Sequence, residues 1–308
     1  MSEPSKKPSK VVITGATGHL GRAVVAALAG PSVIAVSRSG ATVGHAPGLS
    51  CDVSEESSVA ILRGVLGPDV VLVHLAAWHP PATASTTPED RRRLLDTNVL
   101  GTMRVLDAAR GGNVARVVYA STFEVYGAPG EGAIDETHRT YPRTDYGATK
   151  LAGEHHLAAF AYEEGGVPTV SLRMPAIYGP GERTPRALPN FLAQVAMGER
   201  PVVFGDGEDL RDQLHVDDAA RAVLCALERG EGVYQVADGQ PHSILEIAQT
   251  AMRVAGIDGE PERQERVKER RDFHMDITKA RAELGFEPQV TLEDGMREQL
   301  GWIRMGSD

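Results

Sequence analysis

The stretch Val11-Val12-Ile13-Thr14-Gly15-Ala16-Thr17-Gly18-His19-Leu20-Gly21 joins a short apolar run to three glycines spaced three residues apart. An alanine-rich segment with a helical pattern follows at residues 22–29. Glycine permits backbone angles and close approaches that other residues do not, so this order of strand, turn and helix predicts a turn that binds a pyrophosphate at the helix N-terminus. A glycine-rich loop without a ligand is the alternative interpretation of the turn alone.

Strands and helices alternate along the part of the chain that follows. Apolar runs of strand length lie at residues 33–36, 70–75, 114–120 and 169–172, and helical patterns lie at 55–66, 89–109 and 146–162. Such alternation predicts a parallel sheet with helices on both faces. We therefore expect an α/β fold, with a Rossmann-type doubly wound parallel sheet and a smaller mixed C-terminal substrate-binding lobe.

The regular alternation of predicted strands and helices ends after residue 178. Prolines at positions 180, 185, 189 and 201 interrupt the alternation, which is typical of a loop-rich substrate region. The predicted division is a flexible tail over residues 1–10, a dinucleotide-binding domain over 11–178, and mainly a substrate-binding lobe over 179–308. Later segments, at about 212–240, are expected to pack back against the first domain.

The composition limits the partners. The 308 residues hold 32 Lys and Arg against 42 Asp and Glu, a net charge of −10, so nucleic acid is not an expected partner. No window approaches the ~20 consecutive apolar residues that cross a bilayer, and the N-terminal stretch lacks the apolar run of a signal peptide. We expect a cytoplasmic protein without a membrane partner. Cys51 and Cys225 match no disulfide or metal spacing, and His155 and His156 lack a third ligand, so no metal site is predicted.

Tyr146 and Lys150 lie four residues apart in the third helical pattern, so their side chains share one helix face. A free phenol has a pKa of about 10, too high for efficient proton transfer at neutral pH, and a nearby ammonium lowers that pKa. The spacing therefore predicts that Tyr146 is a general acid/base and that Lys150 lowers its pKa.

Five further segments follow the glycine turn: Cys51-Asp52-Val53, His74-Leu75-Ala76-Ala77, Ser121-Thr122 with Val125-Tyr126-Gly127, Tyr146-Gly147-Ala148-Thr149-Lys150, and Arg211-Asp212 with His215-Val216-Asp217-Asp218. In this order they resemble the extended branch of the short-chain dehydrogenase/reductase superfamily, which includes nucleotide-sugar epimerases, dehydratases and reductases. The resemblance implies that Tyr146 is the general acid/base and Lys150 its electrostatic partner and ribose anchor. It also implies that Thr122 orients the reacting oxygen and that a nicotinamide carries the hydride.

Two positions keep alternative interpretations. Ser121 is the neighbouring candidate for the role that the resemblance assigns to Thr122. Asn98 resembles a family position that supports the local backbone, and packing in the core is the equal alternative.

The resemblance also implies a cofactor site. The resemblance assigns Gly15, Gly18, His19, Leu20 and Gly21 to the pyrophosphate turn, and Asp52 and Val53 to the adenine. It assigns Leu75, Ala76 and Ala77 to the path to the nicotinamide ribose. It assigns Tyr146, Lys150 and Pro175 to the nicotinamide end. The strand that reads the adenosine ribose ends in Ser37 and Arg38 instead of an acidic residue. A hydroxyl and a guanidinium suit a 2′-phosphate, so NADP is preferred over NAD. A solvated Arg38 without a ligand is the alternative.

One departure from the family concerns the residues after Thr122. Dehydratases of this branch carry adjacent Asp and Glu there, whereas this chain has Phe123 and Glu124. Loss of the acidic partner removes the expected general acid, which argues against 4,6-dehydration. Phe123 is expected to line the substrate site as an apolar wall for a deoxysugar methyl group, with a structural role as the alternative.

Other positions concern the substrate diphosphate and the sugar. Arg211 matches the diphosphate-binding arginine, whereas Ala176 replaces the asparagine that helps to hold the diphosphate. A second arginine is expected from Arg270 or Arg271. His79 would lie near the sugar, and a surface role is the alternative for this residue.

These residues predict an NAD(P)-dependent oxidoreductase that acts at C4 of a nucleotide-activated sugar. Reduction of a 4-keto sugar is placed ahead of 4-epimerisation of the UDP-glucose 4-epimerase type, because Ser37 and Arg38 favour the NADPH that biosynthetic reductions use. An epimerase would instead retain its cofactor and return the hydride to the opposite face. Two further alternatives are a ketone without a nucleotide, which Ala176 leaves open, and a non-catalytic NAD(P)-binding regulatory protein.

The family resemblance also implies a homodimer. Its interface would include the helices after the fourth and fifth strands. The apolar residues of the second of these helices fit either an interface or the core, and they are Leu151, Ala152, Leu157, Ala158 and Phe160.

Overall fold

The computed structural model describes residues 8–30, 32–81, 86–128, 130, 132–182, 184–266 and 269–306. Residues 1–7 of the predicted tail lie outside this part. The strands are β1 (Lys10–Thr14), β2 (Ser32–Ser37), β3 (Gly48–Ser50), β4 (Val70–His74), β5 (Arg116–Thr122), β6 (Thr169–Met174), β7 (Ala176–Tyr178), β8 (Val202–Phe204), β9 (Leu210–Arg211), β10 (Gln213–His215), β11 (Gly232–Gln235), β12 (His242–Ser243) and β13 (Glu262–Gln264). The α-helices are α1 (His19–Ala27), α2 (Ser58–Arg63), α3 (Pro88–Leu94), α4 (Gly101–Gly112), α5 (Asp145–Glu163), α6 (Ala187–Ala196), α7 (Val216–Glu228), α8 (Ile244–Ala255) and α9 (Leu292–Arg304).

Seven strands form one parallel sheet in the order β11-β6-β5-β4-β1-β2-β3. Its central strands β1 and β4 carry uninterrupted apolar runs because helices cover both faces, and all five residues of β4 are buried. One core cluster joins the sheet to α1 and α7, and a second joins it to α2, α4 and α5. The predicted α/β fold of Rossmann type is confirmed.

A third core cluster lies in the C-terminal part of the chain. It consists of apolar side chains from α6, α8 and α9, with Tyr178 and Val203. Three two-stranded pairs, β7 with β10, β8 with β13, and β9 with β12, accompany these helices. Because β11 belongs to the large sheet and α7 packs on α1, the chain returns to the first core before it ends. The domain boundaries stay a prediction.

A buried ion pair connects α5 to the sheet. Arg173, on β6, donates to both carboxylate oxygens of Glu154 on α5, with N···O distances of 2.9 and 2.6 Å. The Ser121 hydroxyl donates to the same carboxylate, and Arg173 also donates to the Tyr126 hydroxyl at 2.6 Å. Glu154 and Arg173 are only 6% and 5% exposed, so both charges depend on these partners for compensation.

Two further features of the described residues are the state of the cysteines and the character of the helices. Both cysteines, Cys51 and Cys225, are free. Within the described ranges, no helix combines the length and the apolar character that a membrane crossing requires.

We expect Glu154→Leu to lower the free energy of unfolding by about 3–5 kcal/mol, because the variant leaves the Arg173 guanidinium buried and unpaired. Urea denaturation followed by circular dichroism measures the change. The double variant Glu154→Leu/Arg173→Leu should regain much of the loss, since no isolated charge remains.

A matched control lies on the same helix. Glu163 forms an ion pair with Arg110 but is 56% exposed, so Glu163→Gln should change stability by less than about 1 kcal/mol. An equal loss for Glu154→Leu and Glu163→Gln would contradict the role given to the buried pair.

Candidate active site

The glycine turn lies tightly between β1 and the segment after β4. Gly15 has φ +76°, and a Cβ on this residue would lie 2.6 Å from the Ala76 nitrogen. A Cβ on Gly21 would lie 2.4 Å from the Gly15 oxygen, so the start of α1 also packs directly on the turn. Gly18 caps α1 without a side-chain hydrogen bond. The N–H groups of the first helical turn therefore face no capping side chain, which suits a bound phosphate.

The ends of β2 and β3 present polar groups beside this turn. Ser37 is buried, and its hydroxyl lies 3.2 Å from the Ser39 hydroxyl. Arg38 is exposed, and its guanidinium forms no ion pair with any residue that the structure describes. The Asp52 carboxylate accepts hydrogen bonds from the Ser54 N–H and hydroxyl at 2.9 and 2.7 Å, and Val53 is buried.

A chain of buried hydrogen bonds connects β1 to α4. Thr102 donates its hydroxyl proton to the Asn98 carbonyl at 2.7 Å, so it accepts from His74 Nε2 at 3.0 Å. His74 Nδ1 then accepts from the Thr14 hydroxyl at 2.6 Å. Burial, assisted by the charge of Lys150, lowers the pKa of His74 to about 3, so the imidazole stays neutral. The sequence interpretation missed this role, although a histidine at the end of a buried strand is a signal for it.

Asn98 supports the loop after β4. It lies in a π-helical segment, Leu95–Leu100, and its side-chain amide bonds both the N–H and the carbonyl of Trp78, at 2.8 and 2.9 Å. The same amide donates to the Thr149 hydroxyl on α5 at 3.1 Å. The contacts of Asn98 therefore fit the interpretation that it supports the local backbone. Its side chain is also buried, as the interpretation of core packing expects.

Tyr146 and Lys150 lie in the first turns of α5, which Thr144 caps by accepting from the Gly147 N–H. Lys150 is 2% exposed, and its Nζ lies 4.0 Å from the centre of the Tyr119 ring. Burial lowers the pKa of Lys150 to about 7. The pKa of Tyr146 is raised, first by burial and then by the Glu124 carboxylate. Burial disfavours the phenolate. The expected effect of Lys150 on this pKa stays a prediction.

The structure separates the two hydroxyl candidates at the end of β5. Ser121 is used by the buried ion pair, since its hydroxyl donates to Glu154. The Thr122 hydroxyl accepts only a 3.3 Å bond from the Glu124 N–H among its described contacts. Its proton remains available to a ligand, which agrees with the role predicted for Thr122.

Beside Tyr146 lies a cavity of about 320 Å³, here called the inner cavity. The His79 ring is 4.4 Å from the Tyr146 ring, and His79 Nε2 lies 3.8 Å from the Glu124 carboxylate. Three predicted substrate residues, His79, Phe123 and Arg211, line this cavity together. Its other lining residues are Glu124, Ala176, Ile177, Tyr178, Arg186, Ala187, Leu188, Pro189 and Gln213.

Glu124 is a functional candidate that received no role in the sequence interpretation. Its carboxylate accepts a hydrogen bond from the Thr144 hydroxyl at 2.7 Å. The pKa of Glu124 is lowered by its contacts with His79 and Thr144, against the opposing effect of burial, so the group is ionised at neutral pH. The signal that could have found it is its place directly after the Thr122-Phe123 pair.

A second cavity of about 1170 Å³, here called the outer cavity, shares Arg211 and Ala187 with the inner one. Arg266 and Arg271 also line it, whereas Arg270 pairs with Asp272 outside the lining. Of the two late arginines considered from the sequence, Arg271 is thus the one that faces a cavity. A basic, partly apolar cavity of this size suits a nucleoside diphosphate.

The remaining predicted residues lie at the rims of these sites. Leu75 and Ala76 are half-buried and Ala77 is exposed, while Pro175 is buried between β6 and β7. The His19 ring bonds the Pro180 carbonyl at 3.0 Å and lies 3.3 Å from Glu182. Leu20, next to His19, packs against the first core cluster, so its side chain faces away from the turn.

Among the described residues, one group has His, Asp or Glu donor atoms within 4.8 Å of one another. It consists of His215, Asp217 and Glu298, and it contains neither His155 nor His156. None of the three lines the inner cavity. The absence of a metal from the reaction stays a prediction.

Comparisons with known proteins agree with this arrangement. Residues 11–237 match the sequence profile of the NAD dependent epimerase/dehydratase family. The chain is 32% identical to dTDP-glucose 4,6-dehydratase from Streptomyces niveus, over 96% of this chain and 93% of that protein.

Two solved structures resemble the fold along almost its whole length. UDP-glucose 4-epimerase from Thermotoga maritima, solved with UDP-glucose, has a TM-score of 0.84 and 28% identity, covering 97% of this chain and 100% of that chain. UDP-glucose 4-epimerase from Thermus thermophilus, in complex with NAD, has a TM-score of 0.83 and 28% identity with the same coverage. This chain is an enzyme of the extended short-chain dehydrogenase/reductases and belongs to their NAD dependent epimerase/dehydratase family.

Proposed function

We propose that the enzyme exchanges a hydride at C4 of a nucleotide sugar and epimerises that carbon, with Tyr146 as general acid/base. The observation that carries the proposal is the inner cavity, which is lined by Arg211 and by His79, whose ring lies 4.4 Å from the Tyr146 ring. The inner cavity shares Arg211 and Ala187 with the outer cavity. A sugar in the first and a nucleoside diphosphate in the second would place the charged diphosphate at Arg211. The far side of the sugar would then meet Tyr146.

The chain offers a site for the dinucleotide. The uncapped start of α1 and the turn of Gly15, Gly18 and Gly21 suit the pyrophosphate, and the buried Lys150 would hold the nicotinamide ribose. When bound, the nicotinamide accepts a hydride from the sugar and returns it.

The residues around the reacting oxygen would move and hold a proton. In the epimerisation Tyr146 would accept the proton of the C4 hydroxyl as the hydride leaves C4, and would return a proton to the same oxygen when the ketone is reduced. Thr122 would orient this oxygen through its free hydroxyl proton. Lys150, with a pKa of about 7, can exchange protons near neutral pH and so assist the return of Tyr146 to its starting state.

Three alternatives lose support. The family consists of enzymes, which argues against a non-catalytic regulatory protein. Elimination of water, as in the dehydratase from Streptomyces niveus, needs a proton for the leaving hydroxyl. Phe123, which packs edge-on against Phe273 at 4.8 Å, has none to give. The pair of basic cavities also favours a nucleotide-linked substrate over a free ketone, despite Ala176.

Reduction of a 4-keto sugar by NADPH is the second candidate, and Arg38 is the observation that favours it. Its guanidinium is exposed at the end of β2 and pairs with no acidic residue in the described part of the chain. A 2′-phosphate would provide the missing partner. NAD, which the epimerase from Thermus thermophilus binds, fits the first candidate.

We also propose that the enzyme is a homodimer. Leu157 and Phe160 of α5 belong to the core, since they are only 2% and 1% exposed. Apolar side chains that could serve an interface lie instead on the helical run from α3 to α4, where Leu95, Leu100 and Met103 are 53%, 41% and 38% exposed. Of the helices that the sequence analysis considered for the interface, the run after β4 therefore offers these exposed apolar side chains.

Arg38→Ala should weaken NADP binding by at least about 10-fold and NAD binding by less than about 3-fold, because the variant removes a charged hydrogen-bond donor to a 2′-phosphate. Fluorescence titration with each reduced cofactor measures both. Arg304→Ala, at the exposed end of α9, is the control and should change neither. Equal weakening of the two cofactors by Arg38→Ala would show that Arg38 does not select NADP.

The function itself is tested with a panel of nucleotide 4-hydroxy and 4-keto sugars, with product stereochemistry read by NMR and cofactor by absorbance. Epimerisation predicts interconversion at C4 without net cofactor consumption, whereas reduction predicts one NADPH oxidised per product. Tyr146→Phe should lower turnover at least about 100-fold through loss of the proton donor, with little change in cofactor binding. Failure to turn over any nucleotide sugar would contradict both candidates.

A further inference from the structure

Arg186 is a cation in the inner cavity for which the proposed reaction has no role. It precedes α6 as its N-cap residue and is half-buried. Its guanidinium forms no hydrogen bond and no ion pair with the residues that the structure describes, although it lines the cavity. A guanidinium withdrawn from water without a partner is costly, so this arrangement is expected where a ligand supplies the anion.

The placement of Arg186 differs from that of Arg211. Arg211 lines both cavities, and its Nη1 already donates to the Leu210 carbonyl at 2.7 Å, while its Nη2 lies 3.7 Å from Asp209. Arg186 lines only the inner cavity. A diphosphate at the junction of the two cavities would thus meet Arg211, and Arg186 would face the sugar.

The lining of the inner cavity places Arg186 near its reacting end, because Arg186 lines it together with His79, whose ring lies 4.4 Å from the Tyr146 ring. The Arg186 charge opposes the rise in the Tyr146 pKa and contributes to the lowered pKa of Glu124. Glu124 nevertheless forms no ion pair with Arg186, since no guanidinium nitrogen lies within 4 Å of its carboxylate oxygens. These oxygens instead contact the Thr144 hydroxyl and the His79 ring. Arg186 therefore keeps its donors for a ligand close to the atom that Tyr146 protonates.

The chemistry of a hexose decides which substituent could reach this position. When C1 carries the diphosphate and C4 faces Tyr146, the C6 substituent lies on C5, directly beside C4. A C6 hydroxyl would leave the guanidinium charge uncompensated, whereas a C6 carboxylate would accept two parallel N–H···O bonds.

We propose that Arg186 binds a carboxylate on the sugar, so that the preferred substrate class is the nucleotide uronic acids. This inference rests on the proposed nucleotide-sugar site and adds the substituent at C6. Phe123, Ile177 and Leu188 provide apolar walls of the cavity. Because Arg211 is assigned to the diphosphate, Arg186 is the arginine of the inner cavity left to distinguish an acidic from a neutral sugar.

The experiment compares UDP-glucuronate with UDP-glucose, which differ only at C6. Binding of each to the cofactor-loaded enzyme is measured by calorimetry, and interconversion at C4 by NMR. The wild-type enzyme should bind UDP-glucuronate at least about 10-fold more tightly than UDP-glucose. Arg186→Gln should weaken UDP-glucuronate binding at least about 30-fold and UDP-glucose binding less than about 3-fold, because only the acid loses a charged partner.

Two further variants make the result specific. Arg186→Lys keeps the charge but loses the planar fork, so it should recover part of the affinity for UDP-glucuronate. Arg92→Gln, on the exposed surface of α3 where Arg92 is 73% exposed, is the matched control and should change neither ligand.

Binding and turnover separate the inference from the function on which it rests. Equal weakening of both ligands by Arg186→Gln would mean that Arg186 serves the diphosphate or balances Glu124, and would overturn the inference. Wild-type preference for UDP-glucose, in binding or turnover, would overturn it as well while the C4 chemistry stood. Selective binding of UDP-glucuronate without change at C4 would support the role of Arg186 and contradict the proposed epimerisation.

Discussion

The buried ion pair between Glu154 and Arg173 is the constraint on which the geometry of the site depends. Glu154 lies four residues after Lys150 on α5, and Arg173 lies on β6, so the pair sets the helix against the sheet at the level of the proposed catalytic residues. Both charges are withdrawn from water, and a displacement of α5 would separate them in a medium of low dielectric constant. The position of Tyr146 is therefore restricted by a contact in which Tyr146 takes no part.

A second set of buried bonds relates the cofactor turn to the same helix. Thr14, at the end of β1, connects through His74 and Thr102 to the Asn98 backbone, and the Asn98 side chain continues to Thr149 on α5. The carboxyl ends of β1 and β4 are thereby connected to α5. Ligands of doubly wound sheets bind at these ends, so the network lies directly behind the place where cofactor and sugar would meet.

The charges of the site are unevenly compensated. Glu124, Arg211 and Glu154 have partners within the protein, whereas Arg38 and Arg186 have none among the residues described. In a chain with a net charge of −10, these two cations stand at opposite ends of the expected ligands, one beside the adenosine ribose and one beside the sugar. Cations without a protein partner at such positions indicate which anionic groups a ligand carries more directly than the net charge of the chain does.

Local sequence was enough for the sheet, the glycine turn, and the pairing of Tyr146 with Lys150 on one helix face, because strand alternation, glycine spacing and helical periodicity act over a few residues. The same signals could not show that burial and Glu124 raise the pKa of Tyr146, that Ser121 is used by Glu154, or that Arg271 and not Arg270 faces the outer cavity. Nor could they show that Arg186 lacks a partner among the described residues. These properties depend on desolvation and on contacts between residues far apart in the chain, which exist only once β5, β6, α5 and α6 have packed together.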